Sequence, residues 1–143
     1  MRIFLDANVL FSAAKSNGAI RQLLQTLQAG GHVLVADTYV AAEARRNLDA
    51  KATSEAVAWL RGLLAQTEVS AVQPPTATPA AVLWLPDKDR PVLMAAIALK
   101  CQALVTGDRT HFGPGYGQTF DGVMIHSPAQ LALVVLPAAP APR

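Results

Sequence analysis

Only ten carboxylates occur among the 143 residues, so where they fall carries information. Four stand where chemistry could gather them. Asp6 follows the apolar run Ile3-Phe4-Leu5, and Asp108 follows Ala103-Leu104-Val105 through the sharp Thr106-Gly107-Asp108 turn. Asp89 precedes the apolar segment from Val92 to Lys100, and Glu43 is an isolated acid within Val40-Ala41-Ala42-Glu43-Ala44. Carboxylates crowded into one place repel one another unless a cation neutralises them. These motifs hold neither cysteine nor histidine, so the donor set is hard and oxygen-only, which suits Mg²⁺ or Mn²⁺. Such ions activate water and stabilise the charge that builds on a phosphate during phosphodiester cleavage.

Each acid also has a plainer reading. Asp6 and Asp108 could close turns, Asn8 and Asp89 could cap helices, and Glu43 could share a solvated face with Arg45, Arg46 and Asn47. The combination of Asp6 with Asn8 and with the Thr-Gly-Asp turn favours chemistry. The loop before the Val92 helix offers both Asp87 and Asp89, of which Asp89 is better placed at a helix start. Arg45, Arg46, Arg90 and Arg109 suit phosphate, although solvent is the commoner fate of an arginine. His111 could touch substrate, although a packed or exposed histidine is the commoner outcome, and Trp59 and Trp84 read as core or interface.

The elements that must position these residues follow from periodicity and punctuation. Short apolar runs at Arg2–Leu5, Val33–Ala36, Glu68–Val72, Ala103–Val105 and Gly122–Ile125 predict five strands. Helices are predicted from Val9 to Lys15 and from Ala19 to Ala29, the latter stopped by Gly30-Gly31. Asp37 or Thr38 can cap a helix from Tyr39 to Leu48, and Thr53 or Ser54 another through Leu64. Arg90-Pro91 suits the start of the helix to Lys100, and Ser127-Pro128 opens a last one to Val135. Gln73 to Pro79 reads as a stiff connector, Gly113 to Gly117 as a glycine-rich loop, and Pro137 to Arg143 as a disordered Pro/Ala-rich tail. Strands alternating with helices predict a mostly parallel sheet covered on both faces. Ligands of such sheets sit beyond the C-terminal ends of the strands, where Asp6 and Asp108 emerge.

Composition narrows the class. Half the residues are apolar and 15% are charged, which argues for one packed domain over residues 1–136 and against disorder. A single cysteine, Cys101, allows no internal disulfide and suggests no zinc cluster; its apolar surroundings predict a buried, inert thiol. No secretory signal is read at the N-terminus and no apolar run approaches a membrane span, so the expectation is a cytoplasmic protein with no membrane partner. The net charge of +2 is a weak pointer to a polyanion.

Phe4-Leu5-Asp6-Ala7-Asn8-Val9-Leu10 resembles the opening of PIN domains, and Leu104-Val105-Thr106-Gly107-Asp108 resembles their later signature. Glu43 and Asp89 match the family's middle acids, and the matched motifs extend from Arg2 to Ile125. The resemblance implies a three-layer α/β/α fold and a metal-dependent endoribonuclease that leaves a 5′-phosphate. Asp6, Glu43, Asp89 and Asp108 would hold Mg²⁺ or Mn²⁺, with Asn8 and Thr106 in support. It also implies the toxin role of a type II toxin–antitoxin pair of the VapBC kind, with an RNA substrate, an antitoxin partner and a homodimer, for which Ala19–Ala29 is a candidate surface. A non-catalytic PIN-like module that binds RNA or protein is the alternative. A phosphatase-like hydrolase ranks last, because it would call for Asp-x-Asp where this chain has Asn8.

Overall fold

A computed structural model describes residues 1–51 and 53–135; the expected tail at 137–143 lies outside them. Six strands form one sheet: β1 (Arg2–Leu5), β2 (Val33–Asp37), β3 (Glu68–Ser70), β4 (Ala103–Val105), β5 (Thr119–Phe120) and β6 (Val123–His126), in the order β3-β2-β1-β4-β6-β5. All neighbours run parallel except β5 and β6. β4 is buried along its whole length, as are Ile3, Phe4 and Leu5 of β1. Strands that are apolar on both faces need cover on both faces.

Six helices supply the cover: α1 (Ala7–Lys15), α2 (Ala19–Ala29), α3 (Thr38–Lys51), α4 (Ser54–Ala65), α5 (Arg90–Ala98) and α6 (Pro128–Val135). The chain steps outward from β1 to β2 to β3, then returns past β1 to β4. Parallel crossovers are right-handed, so this reversal puts the helices before β3 on one face and α5 on the other. The direction of travel changes at β1 and β4, the point where such folds open a crevice.

Local chemistry sets the ends of the elements. The Asp6 carboxylate accepts the Ala7 N–H at 2.8 Å, which starts α1 two residues earlier than expected. Asp37 ends β2 and accepts the Val40 N–H at 2.9 Å, starting α3. Thr53 caps α4 through the Ala56 N–H. Ser127 and Gln130 cap α6 reciprocally, each side chain accepting the other's backbone N–H.

Three further details differ from the sequence expectation. The sheet has six strands rather than about five, because the last predicted strand is one arm of a hairpin with Thr119–Phe120. β3 stops at Ser70 rather than Val72. The apolar stripe of α2, open in the sequence between a pairing surface and core packing, turns inward, with Leu23, Leu24 and Leu27 buried in the chain's own core. Cys101 is buried as expected, and burial pushes its thiol up to about 11. Trp84 stacks on Phe120 at 4.8 Å and meets Phe112 edge-on, while Arg21 lies 4.1 Å over the Trp59 ring.

Candidate metal centre

Where β1 and β4 end side by side, the Asp6 backbone N–H donates to the Val105 carbonyl at 3.1 Å. That bond brings Asp6 against Thr106. The Thr106 hydroxyl donates to Asp6 Oδ2 at 2.7 Å and accepts the Asp108 N–H at 3.2 Å. Asn8, one residue into α1 past Ala7, donates to Asp6 Oδ2 at 3.2 Å and accepts the Gly107 N–H at 2.9 Å. Asn8 therefore clamps the two strand ends together. Tyr116 closes the arrangement from behind, its hydroxyl donating to the Thr106 carbonyl at 2.8 Å.

The other two acids arrive from helices. Glu43 lies on α3 in a row with Tyr39 and Asn47, spaced four residues apart and so on one helix face. All three line a cavity of about 300 Å³ that also takes in Asp6, Asn8, Lys88, Asp89 and Asp108. Asp89 stands at the start of α5, yet its side chain makes no capping hydrogen bond, so capping does not account for it. Asp87 is turned out to solvent, 93% exposed, and pairs with Arg90 at 2.6 Å. Of the two aspartates in that loop, Asp89 is the one at the cavity. Among the arginines, Arg45 pairs with Asp49 on the surface, and Arg90 is held by the Leu83 and Leu85 carbonyls.

One residue at the cluster stood outside the predicted ligand set. His111 follows Asp108 by three residues, and its backbone N–H donates to Asp108 Oδ1 at 3.1 Å. Its ring Nδ1 lies 3.0 Å from Asp108 Oδ2 and 3.1 Å from Asp89 Oδ2. Only the first of these contacts is aligned as a hydrogen bond. Asp89 Oδ2 is left fully buried with no hydrogen-bond partner among the described residues. The signal available in sequence was the spacing, since three residues is about one tight turn.

The electrostatics are those of an acid cluster in a poorly solvated place. Burial raises the Asp6 carboxyl to about 6. Hydrogen bonds from Thr106 and the Ala7 N–H oppose that rise, and the charges of Glu43 and Asp108 add to it. A divalent cation fits this set. It would neutralise the mutual repulsion, occupy the orphaned Asp89 oxygen, and meet hard carboxylate donors. A larger cavity of about 430 Å³ lies next door and shares Tyr39, but its walls are Pro74, Pro75, Pro79, Met94 and other apolar groups, with Asp37 its sole acid. The smaller, acidic cavity is the one equipped for chemistry.

The family model described as PIN domain matches residues 2–110. Among solved structures, VapBC2 from Rickettsia felis bound to a DNA fragment from their promoter is similar in fold, with a TM-score of 0.62 at 17% identity, covering 89% of this chain and 98% of that one. No curated protein matches the sequence.

Proposed function

Because this chain belongs to the PIN-domain family, we propose that it is a metal-dependent endoribonuclease acting from the Asp6 cavity. The observation that carries this reading is the meeting of Asp6, Glu43, Asp89 and Asp108, from four separate segments, around one cavity of about 300 Å³. In this reading the four acids hold Mg²⁺ or Mn²⁺, which when bound supplies charge neutralisation at the phosphate and a more acidic water. Thr106 and Asn8 orient Asp6 through the hydrogen bonds that fix its Oδ2, so the first ligand needs no reorganisation to bind. Lys88 brings a positive charge to the cavity rim, where a scissile phosphate would approach. Tyr39 and Asn47 flank Glu43 and are exposed, so they can meet the nucleotides on either side.

The finer role is the toxin of a type II toxin–antitoxin pair, working in the cytoplasm as a homodimer with an antitoxin partner. Family membership and the fold shared with VapBC2 support that role. No helix among the described residues is long and apolar enough to cross a membrane.

The test is cleavage of labelled single-stranded RNA by the purified chain with Mg²⁺, with Mn²⁺ and with EDTA, beside Asp6→Ala. Cleavage that needs the metal and disappears in Asp6→Ala is expected. Folded protein that binds RNA and cuts none of several RNAs in either metal would replace this reading with a non-catalytic binding module.

A further inference from the structure

We propose that His111 supplies a nitrogen ligand to the metal held by Asp89 and Asp108, giving the site a preference for Mn²⁺ over Mg²⁺. The inference rests on the metal reading above and goes beyond its oxygen-only donor set. Nδ1 of His111 stands between two carboxylate oxygens, at 3.0 and 3.1 Å. With the ring proton on Nε2, Nδ1 presents a lone pair and donates to neither carboxylate. Both short approaches then set a lone pair against carboxylate oxygens, a repulsive arrangement without a cation between them, and Asp89 Oδ2 is buried with no hydrogen-bond partner among the described residues. Two ligands on neighbouring corners of an octahedron, each about 2.1 Å from the ion, stand about 3.0 Å apart. The spacing of Nδ1 from both oxygens is that of shared ligation, and all three donor atoms lie within 4.8 Å of one another.

The ring is also held in place before any ion arrives. The His111 backbone N–H is bonded to the same aspartate that its ring approaches, which fixes the turn from Asp108 to His111. Imidazole nitrogen suits transition metals, whereas Mg²⁺ strongly prefers oxygen and keeps its water. A nitrogen at this corner thus favours Mn²⁺. Neither other histidine competes, since His32 bonds the N-terminal amine and His126 is buried within β6.

The experiment is pulsed EPR on the full chain, stripped with EDTA and loaded with Mn²⁺, made once with natural histidine and once with ¹⁵N-histidine. A ¹⁴N coupling that changes to ¹⁵N on labelling is expected, and it should vanish in His111→Gln. Mn²⁺ affinity, read by titration calorimetry, should fall at least about 10-fold in His111→Gln, with Mg²⁺ affinity moving by less than about threefold. If His111→Gln does not fold by circular dichroism, the labelled wild-type spectra still decide. Mn²⁺ bound in an oxygen-only shell overturns this proposal and leaves the nuclease reading standing. No Mn²⁺ binding at all overturns both.

Discussion

The Thr106 hydroxyl is fully buried and serves two neighbours at once: it donates to Asp6 and accepts the Asp108 N–H. Valine has nearly the same shape and can do neither. Thr106→Val should cost about 1–3 kcal/mol in a urea melt, because it leaves the part-buried Asp108 N–H unpaired and takes from Asp6 Oδ2 one of its two hydrogen bonds, leaving only that from Asn8. Partners that orient metal ligands are commonly worth 10–100-fold in affinity, so Mn²⁺ binding should weaken by roughly that range, while Thr106→Ser retains both properties. Binding unchanged in Thr106→Val would mean that the hydroxyl does not orient the acid. A second residue-level prediction separates the two aspartates of one loop. Asp89→Ala should lower RNA cleavage by at least about a hundredfold, since several kcal/mol of charge stabilisation corresponds to that factor or more. Asp87→Ala, removing an exposed partner of Arg90, should leave cleavage within about threefold. Equal losses in a side-by-side rate assay would undo the assignment.

At the scale of elements, the parts that hold the acids were readable because each has a local cause. β1 and β4 are continuous apolar runs, α2 carries a helical stripe ended by two glycines, and Asp37 marks both the end of β2 and the start of α3. What the sequence left open was facing. Periodicity does not tell whether Glu43 points to solvent or inward; that depends on α3 packing beside α1, which only the tertiary fold decides. The place of His111 beside the acids was hidden for the same reason, since a turn and not a strand or helix brings it back onto Asp108. The β5–β6 hairpin was missed because two residues are too few to show alternation, although its signal was present. Asp121 and Gly122 both have positive φ, 48° and 87°, and Asp-Gly is the pair such a two-residue turn favours. That hairpin is pinned by Trp84, packed where Gly115 has no side chain. A Cβ on Gly115 would stand 2.5 Å from Trp84 Cη2. Gly115→Ala should therefore destabilise by about 1–3 kcal/mol, lowering the melting temperature by roughly 2–4 °C for each kcal/mol. A melting temperature equal to wild type would show that the indole can move aside freely.

For the molecule as a whole, placing acids at the reversal of strand order ties stability to protonation and to metal. The Asp6 carboxyl titrates at about 6 in the folded chain, above its ordinary value near 3.8. Between those values the folded protein keeps a proton that the unfolded chain has released. This contribution to stability is thus fully present below about pH 4 and is lost as pH rises through 6. Its ceiling is on the order of 3 kcal/mol. Buried His126 works in the opposite direction, because burial lowers its pKa and its neutral form is favoured as pH rises. The Asp6 effect must therefore be read as a difference between proteins. Metal-free wild type should lose more stability from pH 4.5 to 7.5 than Asp6→Asn, measured by urea denaturation at both values. Mn²⁺ at a hundred times its dissociation constant should return about 2.7 kcal/mol to wild type at pH 7.5, and much less at pH 4.5, where protons compete for the same carboxylate. Asp6→Asn should gain little from Mn²⁺ at either pH. If both proteins show the same pH slope and the same response to Mn²⁺, Asp6 is neither a strained buried acid nor a metal ligand, and the cavity it anchors would need another explanation.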